Sequence, residues 1–376
     1  MITKLTLSNF RSLGRNVVLD PGVFNVLVGP NGSGKSNVLR SLSFVRDALR
    51  LGLPGAMTHA NGIDAVRRHS KGHPHNVRIE LELSLEGHPA RYAFELTGES
   101  VDEYRVKSEE AVIQSDAGTT GFTVQDGVFT GPESLRPNVG RQSLALTSLG
   151  GDIQLKPLWD ALVQTMVYSI SPSELRKPQK FSSEPSMLAE GENWVSILHA
   201  QEQTAWRQDL VAALQKLTGD IDGVKVTKAA SFLIAEFRHR NEGNTRKWFP
   251  AERESDGTLR VAGILTALLQ EPSLPVLGIE EPEQTVHPGA LLLLYDYLRE
   301  ASTRSQVFVT THSPILLNHL NLEDCRMFVV GRGEDGTAVS PLTMSQIASI
   351  DRDLLSLGEL MMAGDLRLDL GWGSQE

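Results

Sequence analysis

Gly29-Pro30-Asn31-Gly32-Ser33-Gly34-Lys35-Ser36 is the stretch that decides how this chain folds. It fits G-x-x-x-x-G-K-[ST], a loop that cradles phosphate between a strand and a helix. The flanking residues agree. Phe24-Asn25-Val26-Leu27-Val28 reads as a short buried strand, and Val38, Leu39, Leu42, Val45 and Leu49 then fall at helical spacing, with Gly52 as a stop signal. Glycines let backbone N–H groups turn inward around phosphate oxygens, and the helix N-terminus adds positive partial charge. In such a loop Lys35 reaches the β- and γ-phosphates of a nucleotide, and the Ser36 hydroxyl sits on Mg²⁺. Asn31, Gly32, Ser33, Gly34, Lys35, Ser36 and Asn37 are therefore the expected nucleotide-binding residues.

Composition bounds the remaining choices. The chain has 376 residues, 40% hydrophobic and 22% charged, ordinary for a globular protein. No apolar run approaches the ~18 residues of a membrane span, and the polar alternation of Met1-Ile2-Thr3-Lys4-Leu5 gives no signal peptide. The single cysteine, Cys325, excludes an internal disulfide and a zinc site built on thiolates, so a reducing cytoplasm and no membrane partner are expected. A net charge of −10 argues against a surface coated with cations for tight, non-specific DNA binding, although a local basic groove is compatible with it.

Along the chain, residues 2–28 read as strands, with Ser8-Asn9-Phe10-Arg11-Ser12 as a turn. Arg11 there is either a surface charge or a contact to the nucleotide. Residues 52–76 read as a loop carrying Arg67, Arg68, His69 and Lys71; His69, His73 and His75 lack the carboxylate or thiolate that would complete a metal site. Residues 77–130 alternate as antiparallel strands, and Gly140–Gly151 reads as a loop with a short helix. Residues 155–217 read as mostly helical, broken near 171–190, with one helix running from Trp194 through Leu214 to Gly219. Val224–Phe237, a turn at Asn241-Glu242-Gly243-Asn244 and Lys247-Trp248-Phe249 suggest a hairpin. Its Arg238, Arg240, Arg246 and Lys247 are either a solvated face or a contact to nucleic acid.

A second chemical centre follows. Leu274-Pro275-Val276-Leu277-Gly278-Ile279 is an apolar strand running into Glu280-Glu281-Pro282-Glu283. A buried parallel strand delivers its C-terminal residues to the ligand crevice, and three carboxylates in four residues call for a cation. Glu280 is expected to hold Mg²⁺, directly or through water, and Glu281 to orient or deprotonate the attacking water. The strand Gln306-Val307-Phe308-Val309-Thr310 ends at Thr311-His312-Ser313-Pro314, so His312 is either a satisfied core histidine or a hydrogen-bond donor to the γ-phosphate. Asp351-Arg352-Asp353 reads as the first turn of a helix rather than a metal pair. Glu254-Ser255-Asp256-Gly257-Thr258-Leu259-Arg260 opens a helix with Val261, Ile264, Leu265 and Leu268 on one face and Ser255 as its cap.

In this order the residues resemble the ABC-type ATPases of the RecF, SMC and OLD group, in particular the stand-alone AAA family ATPases with RecF-like heads. Leu5-x-Leu7-x-Asn9-Phe10-Arg11-Ser12 matches the group's first strand and turn, Gly29–Ser36 its Walker A, and Ile279–Glu283 its Walker B. Ser255-Asp256-Gly257-Thr258 stands where the ABC signature belongs, Gln284–Pro288 is the D-loop, and Thr310–Pro314 carries the switch histidine. Glu280 replaces the usual magnesium-binding Asp, the signature is not Leu-Ser-Gly-Gly, and the Q-loop has only Gln142 as a candidate.

The resemblance implies an α/β fold: an ABC-ATPase head with a RecA-like mixed sheet, an antiparallel β subdomain and a helical signature lobe. The whole chain, 1–376, is expected to be one such domain. Residues 1–135 would form lobe I, 136–255 a helical insert with the hairpin, and 256–376 the signature helix, Walker B, D-loop and switch histidine. It also implies ATP hydrolysis with Lys35, Glu281 and His312 as catalytic residues and Ser36 and Glu280 at the metal. Ser255, Asp256 and Gly257 would cap the ATP of a second protomer, so ATP would join a homodimer or higher oligomer. A separately encoded nuclease or toxin is the implied partner, in anti-phage defence or DNA repair. The alternatives are a nuclease like the OLD enzymes, a DNA-binding repair factor acting alone, and a transporter ATPase, which would need a membrane partner and a closer signature sequence. The stretch after His312 is shorter than the ~100 residues of an ordinary domain, so an appended Toprim nuclease is not expected.

Overall fold

The computed structural model describes residues 1–368 apart from 71–72, 101, 117, 138, 203–204, 241–246 and 353. The chain divides into two units, Met1–Thr165 with Leu322–Glu376, and Met166–Asn321.

The first unit opens with β1 (Ile2–Ser8), β2 (Val17–Leu19) and β3 (Phe24–Val28). All five residues of β3 are buried, as a strand covered on both faces requires. The phosphate loop leads into α1 (Lys35–Arg50), which buries Val38, Leu39, Leu42, Val45 and Leu49, the row its spacing predicts. Gly52 ends that helix at φ +73° but also starts another. Residues 52–76 are not a plain loop: α2 (Gly52–His59) and α3 (Ile63–Val66) bury Leu53, Ala56, Met57, Ile63 and Val66. Helices this short have little stability of their own, and tertiary burial sustains them. Lys71 lies outside the described residues.

Five strands follow: β4 (Val77–Leu85), β5 (His88–Thr97), β6 (Arg105–Ser115), β7 (Gly118–Gln125) and β8 (Val128–Thr130). With β1 and β2 they form an antiparallel sheet in the order β2-β1-β4-β5-β6-β7-β8. Alternation sets its faces: Val77, Ile79, Leu81 and Leu83 are buried, while Glu80 on the other face accepts from Arg78 and Arg91. The sheet carries the phosphate-loop helix on an aromatic row. Phe44 of α1 lies 5.7 Å from Phe10 and 6.4 Å from Phe94, which in turn lies 6.0 Å from Tyr92. Such pairs add roughly 0.5–1.5 kcal/mol each beyond the area they bury.

Two helices, α4 (Ala145–Leu149) and α5 (Lys156–Val163), pack on α1. Glu109 of β6 is buried at the start of α4, where it accepts from the Leu146 N–H and the Tyr92 O–H at 3.0 Å each. Burial pushes its pKa up to about 7, against the hydrogen bonds that pull it down.

The second unit departs from the mostly helical reading of 155–217. It begins with a strand, β9 (Thr165–Tyr168), then α6 (Pro172–Leu175), β10 (Gln179–Lys180), α7 (Trp194–Ala200) and α8 (Ala205–Thr218). The single helix expected from Trp194 to Gly219 is two, α7 and α8. The hairpin also turns elsewhere than expected. β11 (Ile221–Ala229) and β12 (Phe232–His239) meet at Ala230 with φ +52°, and β13 (Trp248–Pro250) returns against β12. The turn expected at 241–244, with Arg246, lies outside the described residues. Lys225 and Arg238 stand 4.6 Å and 5.2 Å from the Trp248 ring, paired with Glu236 and Asp222. Trp194 ties α7 to α9 (Asp256–Leu269) by donating to the Thr266 hydroxyl at 2.9 Å.

The unit is completed by β14 (Val276–Glu280), α10 (Pro288–Ala301), β15 (Gln306–Thr311) and α11 (Pro314–Leu317). β9, β14 and β15 are neighbours, and β14 and β15 run parallel with Glu280 opposite Thr310, so both strands end at one level. The chain then returns to the first unit with β16 (Arg326–Gly333), β17 (Gly336–Pro341), α12 (Met344–Asp351) and α13 (Leu357–Met362). β16 pairs parallel with β3, and β17 lies antiparallel on β16. Asp351 ends α12 rather than opening a helix; Asp353 is outside the described residues. No helix among the described residues is long and apolar enough to cross a membrane.

Glu109 supplies a pH-dependent stability. Its folded pKa is raised from 4.5 to about 7, so the native state keeps a proton that the unfolded chain has released. Stability is therefore highest below the unfolded value and falls as pH rises through the folded one. In denaturant titrations the Glu109→Gln variant, which keeps an acceptor oxygen, should lack this slope. Wild type should lose roughly 3 kcal/mol relative to it between acid and neutral pH. Parallel pH curves for the two proteins would contradict the assignment.

Candidate nucleotide site

The phosphate loop is built for close approach of backbone. Gly32 and Gly34 have φ of +75° and +106°, values that non-glycine residues rarely adopt. A Cβ on Gly29 would lie 2.1 Å from the Val330 carbonyl oxygen of β16. No side chain caps the start of α1, where the Asn37 N–H donates to the Gly34 carbonyl at 2.9 Å. Lys35 is only 4% exposed, and its ammonium donates to the Gly29 and Pro30 carbonyls at 2.7 and 3.1 Å. The Ser33 hydroxyl is buried and has no partner among the described residues. A curled loop around an ammonium, an uncapped 16-residue helix and an orphaned hydroxyl fit a phosphate group.

Around this loop, the Asn37 amide is turned to the Ser12 hydroxyl at 2.7 Å. Arg11 adopts φ +52° and donates its backbone N–H to the Val66 carbonyl at 2.7 Å. Its guanidinium lies 5.9 Å from the Phe10 ring. Gln142, the Q-loop candidate, is exposed and donates to the Tyr104 carbonyl at 3.2 Å.

In the second unit the ends of β14 and β15 gather the acidic residues and His312. Glu281 adopts φ +45°, and its N–H donates to the Thr310 carbonyl at 3.0 Å. Its carboxylate accepts from the Gln284 amide and lies 3.5 Å from His312 Nδ1. Glu283 brackets the histidine loop. One of its oxygens accepts from the Thr311 hydroxyl at 2.7 Å and the His312 N–H at 2.9 Å, while Oε2 has no partner among the described residues. Arg260, on the second turn of α9, donates to Gln284 at 3.3 Å. Burial lowers its pKa, while the charges of Glu281, Asp256 and Glu283 act to raise it.

Glu280 ends β14, half-buried. Among the described residues no three His, Cys, Asp or Glu side chains form a metal cage. A carboxylate at a strand end fits Mg²⁺, which takes one or two carboxylates and fills the rest with water and phosphate oxygen.

The turn at Ser255 is the third element. Its hydroxyl caps α9 by accepting from the Thr258 N–H at 3.1 Å, and both Ser255 and Asp256 are exposed. A Cβ on Gly257 would lie 2.4 Å from the Thr285 carbonyl oxygen. Two residues absent from the sequence reading hold this turn, and a third, Asp220, backs one of them. Arg176 donates to the Glu254 carbonyl at 3.0 Å and to Asp256 at 2.6 Å. His239 stands between Glu254 and Asp220, 2.8 Å from each. Burial pulls the His239 pKa down, but the bonds and charges of Glu254 and Asp220 outweigh it and leave it raised. A cleft of about 540 Å³ opens beside the turn, lined by Asp220, His239, Ser255, Gly257 and Thr285 among others.

With this geometry in view, the likeness to known proteins is informative. A family model described as "AAA domain, putative AbiEii toxin, Type IV TA system" matches residues 24–318. The chain belongs to that family. It is an ABC-type ATPase of the RecF/SMC group. Structural maintenance of chromosomes protein 4 from Dictyostelium discoideum is 33% identical over 133 residues, 34% of this chain and 8% of that protein's length. This chain thus spans a small fraction of that relative.

Two solved structures share the fold. The SmcHead bound to the C-winged helix domain of ScpA aligns with TM-score 0.58 and 17% identity, covering 92% of this chain and 99% of that one. The Smc head domain with an extended coiled coil, bound to the C-terminal domain of ScpA and derived from Pyrococcus furiosus, gives 0.55 and 14%, covering 94% and 99%. These confirm the mixed α/β head fold expected from the motifs.

The environment of His239 is open to direct measurement. Its two ring nitrogens both face carboxylates, so the charged form is favoured and its titration midpoint in the folded protein should lie above the ordinary value. Followed by NMR, Asp220→Asn should bring that midpoint down. A midpoint indifferent to the substitution would remove Asp220 from the account.

Proposed function

We propose that this ATPase binds MgATP at the Gly29–Ser36 loop, hydrolyses it, and uses the bound triphosphate to join two copies head to tail. The observation that carries the reading is the loop itself: a buried Lys35 ammonium encircled by its own carbonyls beneath left-handed glycines. Lys35 would exchange those carbonyls for the β- and γ-phosphates, and Asn31–Asn37 would line them, with backbone N–H groups donating. Ser36 and Glu280 would hold Mg²⁺; when bound, the ion supplies charge neutralisation at the phosphate oxygens.

Glu281 would accept the proton of the attacking water. Its bond from Gln284 and its proximity to His312 support that role by restricting the carboxylate. His312 would donate to the γ-phosphate, on a loop fixed by Glu283. Ser255, Asp256 and Gly257 would cap the nucleotide of the second copy, a role supported by the exposure of that turn. Arg11 would contact the nucleotide near the loop. That both units act as one ATPase head is part of this proposal.

Association driven by the γ-phosphate is an order and assembly switch. Its output would be control of a separate effector, a nuclease or toxin, in anti-phage defence or DNA repair within the cytoplasm. The family description, "putative AbiEii toxin, Type IV TA system", supports a toxin–antitoxin setting for that output. Contact with DNA would fall to Lys225, Arg238 and Lys247 around Trp248.

Glu281→Gln should bind ATP, hydrolyse it at least a hundredfold more slowly, in line with ~10²–10⁴ for general-base catalysis, and accumulate as a dimer by light scattering. Lys35→Ala should lose ATP binding in calorimetry. Association that ignores ATP, or unchanged affinity in Lys35→Ala, would count against the switch.

A further inference from the structure

We propose that Thr337 is a positioning residue for the nucleotide: its hydroxyl pins the Ser33 carbonyl and so pre-sets the phosphate loop before any ligand arrives. The inference rests on the nucleotide reading of that loop, but the geometry stands on its own. Thr337 is the second residue of strand β17, 304 residues beyond Ser33, and is buried. Its hydroxyl donates to the Ser33 carbonyl at 2.8 Å.

A hydroxyl has one proton to give. Because Thr337 gives its proton to Ser33, the Ser12 hydroxyl, 2.8 Å away, must donate to Thr337 rather than accept from it. Ser12 in turn accepts from the Asn37 amide at 2.7 Å. The result is a one-directional chain, Asn37 to Ser12 to Thr337 to Ser33. It starts on the first turn of α1 and ends on the loop, so both flanks of Gly34 and Lys35 are tied to one pair of hydroxyls. Polarisation along such a chain strengthens each link.

The backbone holds Thr337 in place independently of its side chain. Its N–H donates to the Ser12 carbonyl at 2.7 Å, and its own carbonyl accepts from the Gly14 N–H at 2.9 Å. The same crowding explains Gly34. A Cβ there would lie 2.5 Å from the Thr337 hydroxyl oxygen and 2.8 Å from that of Ser12.

The consequence follows from the planar trans peptide. In that plane the carbonyl and the next N–H point in opposite directions. With the Ser33 carbonyl fixed on Thr337, the Gly34 N–H is held facing the other way, free of the hydroxyl network. Without the pin the peptide can rotate, and only a fraction of loops present that N–H to an anion, which weakens apparent affinity by that fraction.

The test compares Thr337→Val, which keeps the branched shape without the hydroxyl, with Thr337→Ser, which keeps the hydroxyl. Thr337→Ala removes the same hydroxyl with a smaller side chain and serves if Thr337→Val does not fold. Three quantities are read: MgATP affinity by calorimetry, amide hydrogen exchange across Gly32–Ser36 in nucleotide-free protein, and kcat at saturating ATP. Thr337→Val should bind about tenfold more weakly, the scale of one lost hydrogen bond. It should also exchange these amides faster, with kcat at saturating ATP nearly unchanged. Thr337→Ser should match wild type in each. Wild-type affinity together with wild-type exchange in Thr337→Val would overturn the inference. An unaltered chain that fails to bind ATP would instead overturn the nucleotide reading, and the exchange comparison would still decide the role of Thr337.

Discussion

An ammonium group taken out of water has to be met by oxygen, and here the oxygens belong to the loop that carries it. Lys35 reaches back to the carbonyls of Gly29 and Pro30, and the loop can curl that tightly only because glycine occupies its left-handed positions. The rest of the first unit serves this curl. β3 brings the chain to the loop, β16 presses a carbonyl against Gly29, and α1 leaves at an angle fixed by Phe10, Phe44 and Phe94 on the antiparallel sheet. The hydroxyls of Ser12 and Thr337 close the remaining side. The proposed phosphate site is thus held mainly by neutral groups: carbonyls, hydroxyls and aromatic packing.

The second unit solves the opposite electrostatic problem. Glu280, Glu281 and Glu283 crowd the end of one strand, and like charges so close together must be separated or paired. The chain does both. Glu281 turns aside at positive φ and meets Gln284, while Glu283 turns back toward Thr311 and His312. Arg260 brings a cation from a different helix. A similar economy of charge governs the Ser255 turn, where Arg176 and His239 fix its backbone and flanking carboxylates while leaving its tip in solvent. Charge–charge contacts that are partly buried hold geometry well, because breaking one leaves a charge without a partner.

Much of this was legible in the linear sequence, and the exceptions share a cause. The phosphate loop, its strand and its helix are set by near neighbours: glycine dihedrals, an apolar row at helical spacing, a lysine at a fixed offset. The strand ending in Glu280 and Glu281, the Ser255 cap and the alternation of residues 77–97 are equally local, and the structure contains them all. Local patterns fail where burial decides. Thr165–Tyr168 is too short to declare a strand by periodicity, yet β14 beside it makes it one. The helix over 52–59 forms because α1 offers it a surface, and the hairpin turns at Ala230, where no glycine, asparagine or proline marks it.

The sequence by itself therefore determined the candidates: which residues are placed to cradle phosphate or take a proton, and which family the chain resembles. Tertiary structure alone decided the supporting contacts. Thr337 lies 304 residues from the carbonyl it holds, and His239 acts on Glu254 from the far strand of a hairpin. No spacing rule reaches across such distances, because the partner of a side chain is chosen by the path of the folded backbone and not by its position along the chain.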